Sequence, residues 1–242
     1  MQGFTKLIVV PIMNGRRWAR LCEIGSCEGA GTNMMRKVPK MNVTVIDPCL
    51  DCDLQARFAS DSRVDMRKGL SLEVLPQLND PFDCILIDGD HNWYTVYNEL
   101  KLIAKKHLLR RGGIVFMHDV HGPWARRDMY YQPETIPSEY RHKFELARTF
   151  SKAISGGGPR NGVLTALEDF LRENRADCRF FRVKAGNGLG ILQYKGGFRD
   201  DLTFFLLAAK GMLCSSAAIL LKLTGLRHLP NFVTRKFLRA SA

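Results

Sequence analysis

The sequence predicts an α/β fold: a doubly wound, mostly parallel seven-stranded sheet that ends in an antiparallel hairpin, followed by an apolar and basic helical tail. Three observations predict it. Short apolar or β-branched runs alternate with amphipathic stretches as far as Asp119, which is how parallel strands and their crossover helices read. Acidic or polar residues close those runs, at Glu23, Asp47, Asp88 and His118-Asp119. The last two strand-like runs flank Asn187-Gly188, a tight-hairpin signal.

The elements follow in order. Ala19 to Ile24 reads as a first buried strand, and a glycine loop leads from it into a helix over Thr32 to Val38 that stops at Pro39. NVTVI, from Asn42 to Ile46, is a second strand. Leu54 to Ala59 is a short helix, Val64 to Met66 a weak third strand, and Leu70 to Leu78 helix-like. FDCILI, from Phe82 to Ile87, is a strong fourth strand. Val96, Leu100, Ile103 and Ala104 have helical spacing within Thr95 to Leu109, with Gly112-Gly113 as the stop. Ile114 to Met117 is the fifth strand. Residues 122–158 read as irregular and rich in Pro, Tyr and Arg, the composition of a substrate loop or lid. Val163 to Asn174 is an amphipathic helix, and Arg179 to Val183 with Gly190 to Tyr194 form the hairpin. In such a sheet, of Rossmann-like type, ligands bind at the carboxyl ends of the strands.

The totals bound the function. A chain of 242 residues suffices for one α/β domain with a full core. A 45% hydrophobic and 25% charged composition excludes a disordered chain. The net charge of +12 points to anionic surroundings such as nucleic acid, an acidic membrane surface or an anionic substrate, and a solvated basic surface accounts for it equally. Seven cysteines, an odd number, fit reduced thiols better than a disulfide framework. Cys49-Leu50-Asp51-Cys52 is a lone C-x-x-C without the second pair that zinc would want. The apolar run Leu7 to Met13 is broken by Pro11 and followed by Arg16-Arg17 with no small-residue cleavage site, so a signal peptide is not expected and a cytoplasmic location is. Leu202 to Leu223 is long and apolar but holds Lys210 and Gly211. From Leu202 onward there is no Asp or Glu, while Lys222, Arg227, Arg235, Lys236 and Arg239 follow. Segment 202–242 therefore reads either as an interfacial anchor on anionic lipid or as a helix packed on the domain or across a homo-oligomer.

The glycine loop, LCEIGSCEGAG over Leu21 to Gly31, lets a backbone approach a bulky ligand through Gly25, Gly29 and Gly31. The candidates are a dinucleotide, a nucleotide phosphate and an adenosyl cofactor. The dinucleotide fingerprint G-x-G-x-x-G fails at its second glycine, since Cys27 follows Gly25-Ser26. Asp47 stands 22 residues after Gly25, where a carboxylate can hold ribose hydroxyls. Glu23 and Glu28 would repel a pyrophosphate but not a sulfonium with an amino-acid tail. The chemistry leans toward S-adenosylmethionine (SAM).

Glu23-x-Gly25-x-x-x-Gly29 followed by VIDP resembles the first two motifs of class I SAM-dependent methyltransferases. FDCILIDGDHNWYTVYNELKLIAKKHLLRRGGIVFMHDV, Phe82 to Val120, narrows the resemblance to the small O-methyltransferases related to macrocin O-methyltransferase and the cephalosporin-hydroxylase-like proteins. Caffeoyl-CoA and catechol O-methyltransferases are more distant relatives. The resemblance spans Ala19 to Asp119 and implies a SAM-dependent methyltransferase domain over 1–198, with 199–242 as a tail. It implies that Gly25 and Gly29 admit the cofactor, that Glu23 binds near its amine, that Asp47 holds its ribose and that Asp88 borders it. It implies a divalent cation on Asp88, His118 and Asp119, magnesium in that group. His118 departs from the pattern of an acid or amide, and imidazole suits manganese, iron or zinc better than magnesium. His91 stands where those relatives carry a general base, with His121 in reserve and Asp88 beside it as the second catalytic residue. Leu70 departs from the acidic or polar residue that often marks adenine, so adenine contacts stay unassigned. Trp93 is a pocket-shaping or packing residue, and Trp124, Tyr130 and Tyr131 either stack on an acceptor or pack the loop.

The activity so implied is methyl transfer to a hydroxyl of a small molecule, glycoside or glycan. RNA methylation is a second reading, favoured by the charge and opposed by the lack of an aromatic RNA-binding motif or an appended module. A third is a non-catalytic methyltransferase-fold partner at a membrane, favoured by His118 and Leu70.

Overall fold

The structure, a computed structural model, describes residues 1–147 and 149–223. In chain order its strands are β1 (Arg20–Ile24), β2 (Asn42–Asp47), β3 (Val64–Lys68), β4 (Phe82–Ile87), β5 (Leu109–His118), β6 (Met129–Tyr130), β7 (Phe144–Ala147), β8 (Phe150–Ala153), β9 (Cys178–Val183) and β10 (Leu189–Tyr194). Seven of them form one sheet in the order β3-β2-β1-β4-β5-β10-β9. β1 to β5 are parallel, and β10 enters antiparallel between β5 and β9. This is the predicted doubly wound sheet with its terminal hairpin.

The central strands read as unbroken apolar runs because both faces are covered; all six residues of β4 are buried. One face packs on α6 (Trp93–Lys105) and α7 (Val163–Asn174) through Val96, Leu100, Ile103, Leu167 and Phe170. The other packs on the N-terminal helical segment, α3 (Ala30–Met35) and α4 (Cys52–Phe58) through Ile8, Val9, Met13, Met35 and Phe58. That segment runs from α1 (Gln2–Phe4) through a π turn (Thr5–Val9) into α2 (Val10–Arg16), so the Leu7–Met13 run is core-facing helix. Side-chain caps set two helix starts: Asp51 Oδ1 accepts from Leu54 N at 2.7 Å, and Asn92 Oδ1 accepts from Thr95 N at 2.8 Å. After β3 the chain forms only α5 (Ser71–Val74) and a 3₁₀ turn through Gln77.

Two expectations are corrected. Gly112-Gly113 does not end α6. His107, left-handed at φ 53, turns the chain after Lys105, and both glycines lie inside β5. There they form a bulge: Phe82 pairs with Leu109 but Cys84 pairs with Ile114. Buried Asp83, the β4 residue without a register partner in β5, accepts from Ala19 N and Arg20 N at 2.8 and 2.9 Å and pairs with Arg110 at 2.6 Å.

Residues 122–158 are not irregular. They contain a three-stranded antiparallel sheet, β6-β8-β7, with short 3₁₀ turns. Its strands are only two to four residues long and β7 is largely exposed, so no long apolar run announces them. Fully buried Asp128 anchors the segment, accepting from Trp93 N at 2.8 Å, Gly162 N at 2.6 Å and the Tyr130 hydroxyl at 2.8 Å.

The chain after the hairpin forms α8 (Phe198–Leu223). Phe204 and Leu207 are buried in the core, and Gly211 lies against Phe181 and Val183 of β9. Arg179 of β9 pairs with Asp201, and Arg16 pairs with Asp200. Phe205, Leu206, Met212 and Leu213 face outward, between 55% and 72% exposed. The basic residues Arg227, Arg235, Lys236 and Arg239 lie outside the described residues. Among the described residues no helix is long and apolar enough to cross a membrane.

Candidate functional site

The glycine loop turns because the protein itself crowds it. Gly25, at φ 83, crosses the loop after β4, and a Cβ there would lie 2.5 Å from Asp88 O and Gly89 N. Gly29 abuts Leu54 and Phe58, and a Cβ on Gly31 would collide with Glu23 Oε1. Asp47 holds the loop from below. Its Oδ2 accepts from Ser26 N, Ser26 Oγ and Cys27 N at 2.8, 3.1 and 3.1 Å, and its Oδ1 accepts from Cys49 N at 2.8 Å. Oδ1 keeps one acceptor position unused.

That cavity, about 460 Å³, opens over the carboxyl ends of β1, β2 and β4. Gly25, Cys27, Asp47, Ser71, Asp88 and Tyr131 are among its walls. Glu23 and Gly29 stand outside the lining. Glu23 is buried beneath the loop, and its Oε2 accepts from Thr32 Oγ1 at 2.5 Å. Burial pushes its pKa up to about 8, the Thr32 hydroxyl offsetting part of the rise. A nearby ammonium group would favour its ionised form.

Beside the cavity four titratable side chains converge. Asp88 follows β4, His91 the short loop after it, His118 ends β5, and Asp119 comes next at a strained φ of 59. One ligand-type atom from each lies within 4.8 Å of the others. His118 Nδ1 is 2.9 Å from Asp88 Oδ1 and 2.8 Å from Asp119 Oδ2. His91 Nε2 is 2.9 Å from Asp119 Oδ2 and 3.8 Å from Asp88 Oδ1. Burial pulls both imidazoles down, but the two carboxylates outweigh it and raise each to about 9. Burial pushes the two carboxyls up, yet the imidazoles hold Asp88 and Asp119 below the ordinary carboxylate range. Asp119 Oδ1 and His91 Nδ1 are buried without a partner. Phe4 packs edge-on to His118, and the Met1 amine lies 3.2 Å from His118 Nε2, so the N-terminal segment borders the cluster. Asp90 orders the loop, accepting from His91 N, Asn92 Nδ2 and Thr95 Oγ1 at 3.1, 2.5 and 3.2 Å.

The structure thus brings Asp88, His91, His118 and Asp119 together and sets Gly25 and Asp47 on the adjoining cavity. His121 lies outside the cluster, its backbone N–H donating to Asn187 O at 2.7 Å. The aromatic candidates divide. Tyr130 is fully buried and bound to Asp128, which removes it from an acceptor's reach. Trp124 packs edge-on to Phe150. Trp93 stacks on Tyr97 with ring centroids 4.6 Å apart and donates to Asp169. Tyr131 remains 55% exposed, on the cavity wall with its ring 6.0 Å from that of His91. Glu99 also lines the cavity, and sequence reasoning passed over it. Its signal was available: an acid on the apolar stripe of Val96, Leu100 and Ile103.

Comparisons with known proteins agree with this architecture. Residues 22–120 match a family model described as a methyltransferase domain. No curated protein matches the chain. Among solved structures, a Podospora anserina methyltransferase bound to S-adenosylhomocysteine aligns at 15% identity over 77% of this chain and 76% of its own, with a TM-score of 0.51. The O-methyltransferase TomG of Streptomyces achromogenes, in complex with SAM and involved in tomaymycin synthesis, aligns at 16% over 78% of each chain, with a TM-score of 0.51. An O-methyltransferase of Bacillus cereus in complex with S-adenosylhomocysteine aligns at 16% over 80% of each, again at 0.51. The chain therefore has the Rossmann-like α/β fold of class I methyltransferases, and its residues 22–120 match the methyltransferase-domain family.

Proposed function

We propose that the protein is a SAM-dependent O-methyltransferase that methylates a hydroxyl of a small molecule, glycoside or glycan. The observation that carries this reading is the Asp88–His91–His118–Asp119 cluster beside a cavity whose wall Asp88 shares with Gly25 and Asp47. The family match and the SAM- and S-adenosylhomocysteine-bound neighbours support the cofactor.

Methyl transfer from a sulfonium is an in-line displacement, so the protein's task is alignment, exclusion of water and removal of one proton. In this reading Gly25 would admit the cofactor at the β1 end, Asp47 Oδ1 would accept from the ribose, and Tyr131 would wall the acceptor side. The donor set also fits a divalent cation. Asp88, His118 and Asp119 would hold it, and the buried, unpartnered Asp119 Oδ1 is an oxygen left available for it. Imidazole among the donors favours manganese, iron or zinc over magnesium. Such a cation lowers the pKa of a bound hydroxyl. His91 Nε2, aimed into the cluster, is the base for the hydroxyl proton once the two carboxylates no longer hold it protonated. A second role for His91, as a fourth ligand, is favoured by its place within the same 4.8 Å group.

Calorimetric titration with S-adenosylhomocysteine in manganese-containing buffer tests the proposal. Roughly micromolar binding is expected, followed by methyl transfer from labelled SAM to phenolic or glycosidic hydroxyls. Absence of binding by folded protein would overturn it.

The outward apolar face of α8 supports peripheral membrane association. Leu206→Glu with Leu213→Glu should then abolish co-sedimentation with anionic vesicles, and unchanged sedimentation refutes it.

A further inference from the structure

A buried acid faces the cofactor cavity with nothing to bind. Glu99 stands on the inner face of α6, one turn beyond Thr95. It is 0% exposed, and neither carboxylate oxygen has a hydrogen-bond partner. A buried polar group left unpaired is costly. Of the other acids on the same cavity, Asp47 and Asp90 have oxygens bonded to the loops they order, Asp88 belongs to the histidine cluster and Glu73 is exposed. Burial pushes Glu99 up to about 8, partly offset by the neighbouring Ser71 hydroxyl, so near neutrality it is largely the neutral acid.

The sheet order gives the cavity a direction. Asp88 ends β4, and Asp47 ends β2, two strands away. Ser71 opens α5 just after β3, at the sheet edge beyond β2. With the sulfonium at the Asp88 end and the ribose at Asp47, the base of an adenosyl ligand falls to the Ser71–Glu99 end. A neutral carboxyl has one donor and one acceptor side by side. Adenine presents the complement, an exocyclic amino group next to a ring nitrogen.

Resting on the SAM reading above, we propose that Glu99 reads the adenine base: one oxygen accepts from the exocyclic amino group, and the other, as the acid O–H, donates to the adjacent ring nitrogen. This assigns the base recognition that Leu70 leaves without a polar side chain.

The test compares S-adenosylhomocysteine with its analogue lacking the 6-amino group, by calorimetry on the wild type, Glu99→Gln and Glu99→Leu. The wild type should prefer the amino-bearing ligand by roughly tenfold. Glu99→Gln, which keeps a donor and an acceptor, should retain the preference. Glu99→Leu should bind S-adenosylhomocysteine more weakly and bind both ligands about equally. A wild type that binds the two equally, or a Leu variant that keeps the preference, overturns the assignment of Glu99 alone. A folded wild type that binds neither ligand overturns the cofactor reading itself, and this inference with it.

Discussion

Replacing Gly25 with alanine tests whether the loop crossing organises both the fold and the site. Two effects add. A left-handed φ of 83 costs an L-residue about 1–2 kcal/mol. The new Cβ would lie 2.5 Å from Asp88 O and Gly89 N, both backbone atoms that cannot rotate away, and such overpacking costs about 1–3 kcal/mol more. The sum, about 2–5 kcal/mol, is a large share of the ~5–15 kcal/mol that holds a domain folded. For a chain of this length that is a fall in Tm of roughly 10 °C. The backbone that must shift carries Asp88, so the Asp88–His118 contact at 2.9 Å should open as well. Gly157→Ala is the control. It has a similar φ of 81 but nothing within 4 Å of the added carbon, so it should lose only the conformational part, about 4 °C. Differential scanning calorimetry of both variants, with manganese and S-adenosylhomocysteine titrations, reads the difference. Equal Tm values for the two, or wild-type ligand binding by Gly25→Ala, would refute the crowding argument.

Asp119→Ala should weaken manganese binding at least roughly a hundredfold and abolish turnover while leaving S-adenosylhomocysteine affinity nearly intact; electron paramagnetic resonance of manganese would detect retained binding, which contradicts the ligand assignment. His91→Ala separates the two roles of that residue: a base loses rate most near neutral pH with manganese affinity kept, whereas a ligand loses manganese affinity in parallel. The cation-free protein should be most stable in mild acid. The imidazoles of His91 and His118, raised from 6.5 to about 9, contribute fully below 6.5 and lose their contribution as pH passes 9. Glu23 and Glu99 stay protonated to about 8 against an ordinary 4.5, so stability falls as pH rises between those values. Asp88 and Asp119 lie below the ordinary 3.8, so their contribution is lost only under stronger acid. A Tm that climbs from pH 6 to pH 9 would contradict this ordering.

Much of the fold could be read from residue order. FDCILI announces a strand covered on both faces, and the acids after each apolar run mark the sheet end where ligands bind, because these are one-dimensional patterns. Asp88, His118 and Asp119 were legible for the same reason: each terminates a strand, and parallel strands deliver their ends to one place. Helix stops were less legible. Gly112-Gly113 looked like a terminator, but the turn is made by His107, and the glycines serve a bulge opposite Asp83 that exists only when β4 and β5 pair.

The sequence alone therefore determined the α/β class, the succession along the chain of the strands of its main sheet and the set of strand-end residues available for chemistry, since periodicity and turn residues act locally. Only the tertiary structure decided that His91 joins His118 across two carboxylates, that Tyr130 is buried while Tyr131 faces the cavity, and that Glu99 is an acid without a partner. Those outcomes depend on which neighbours arrive from distant parts of the chain, and desolvation and pairing energies have no value until they do.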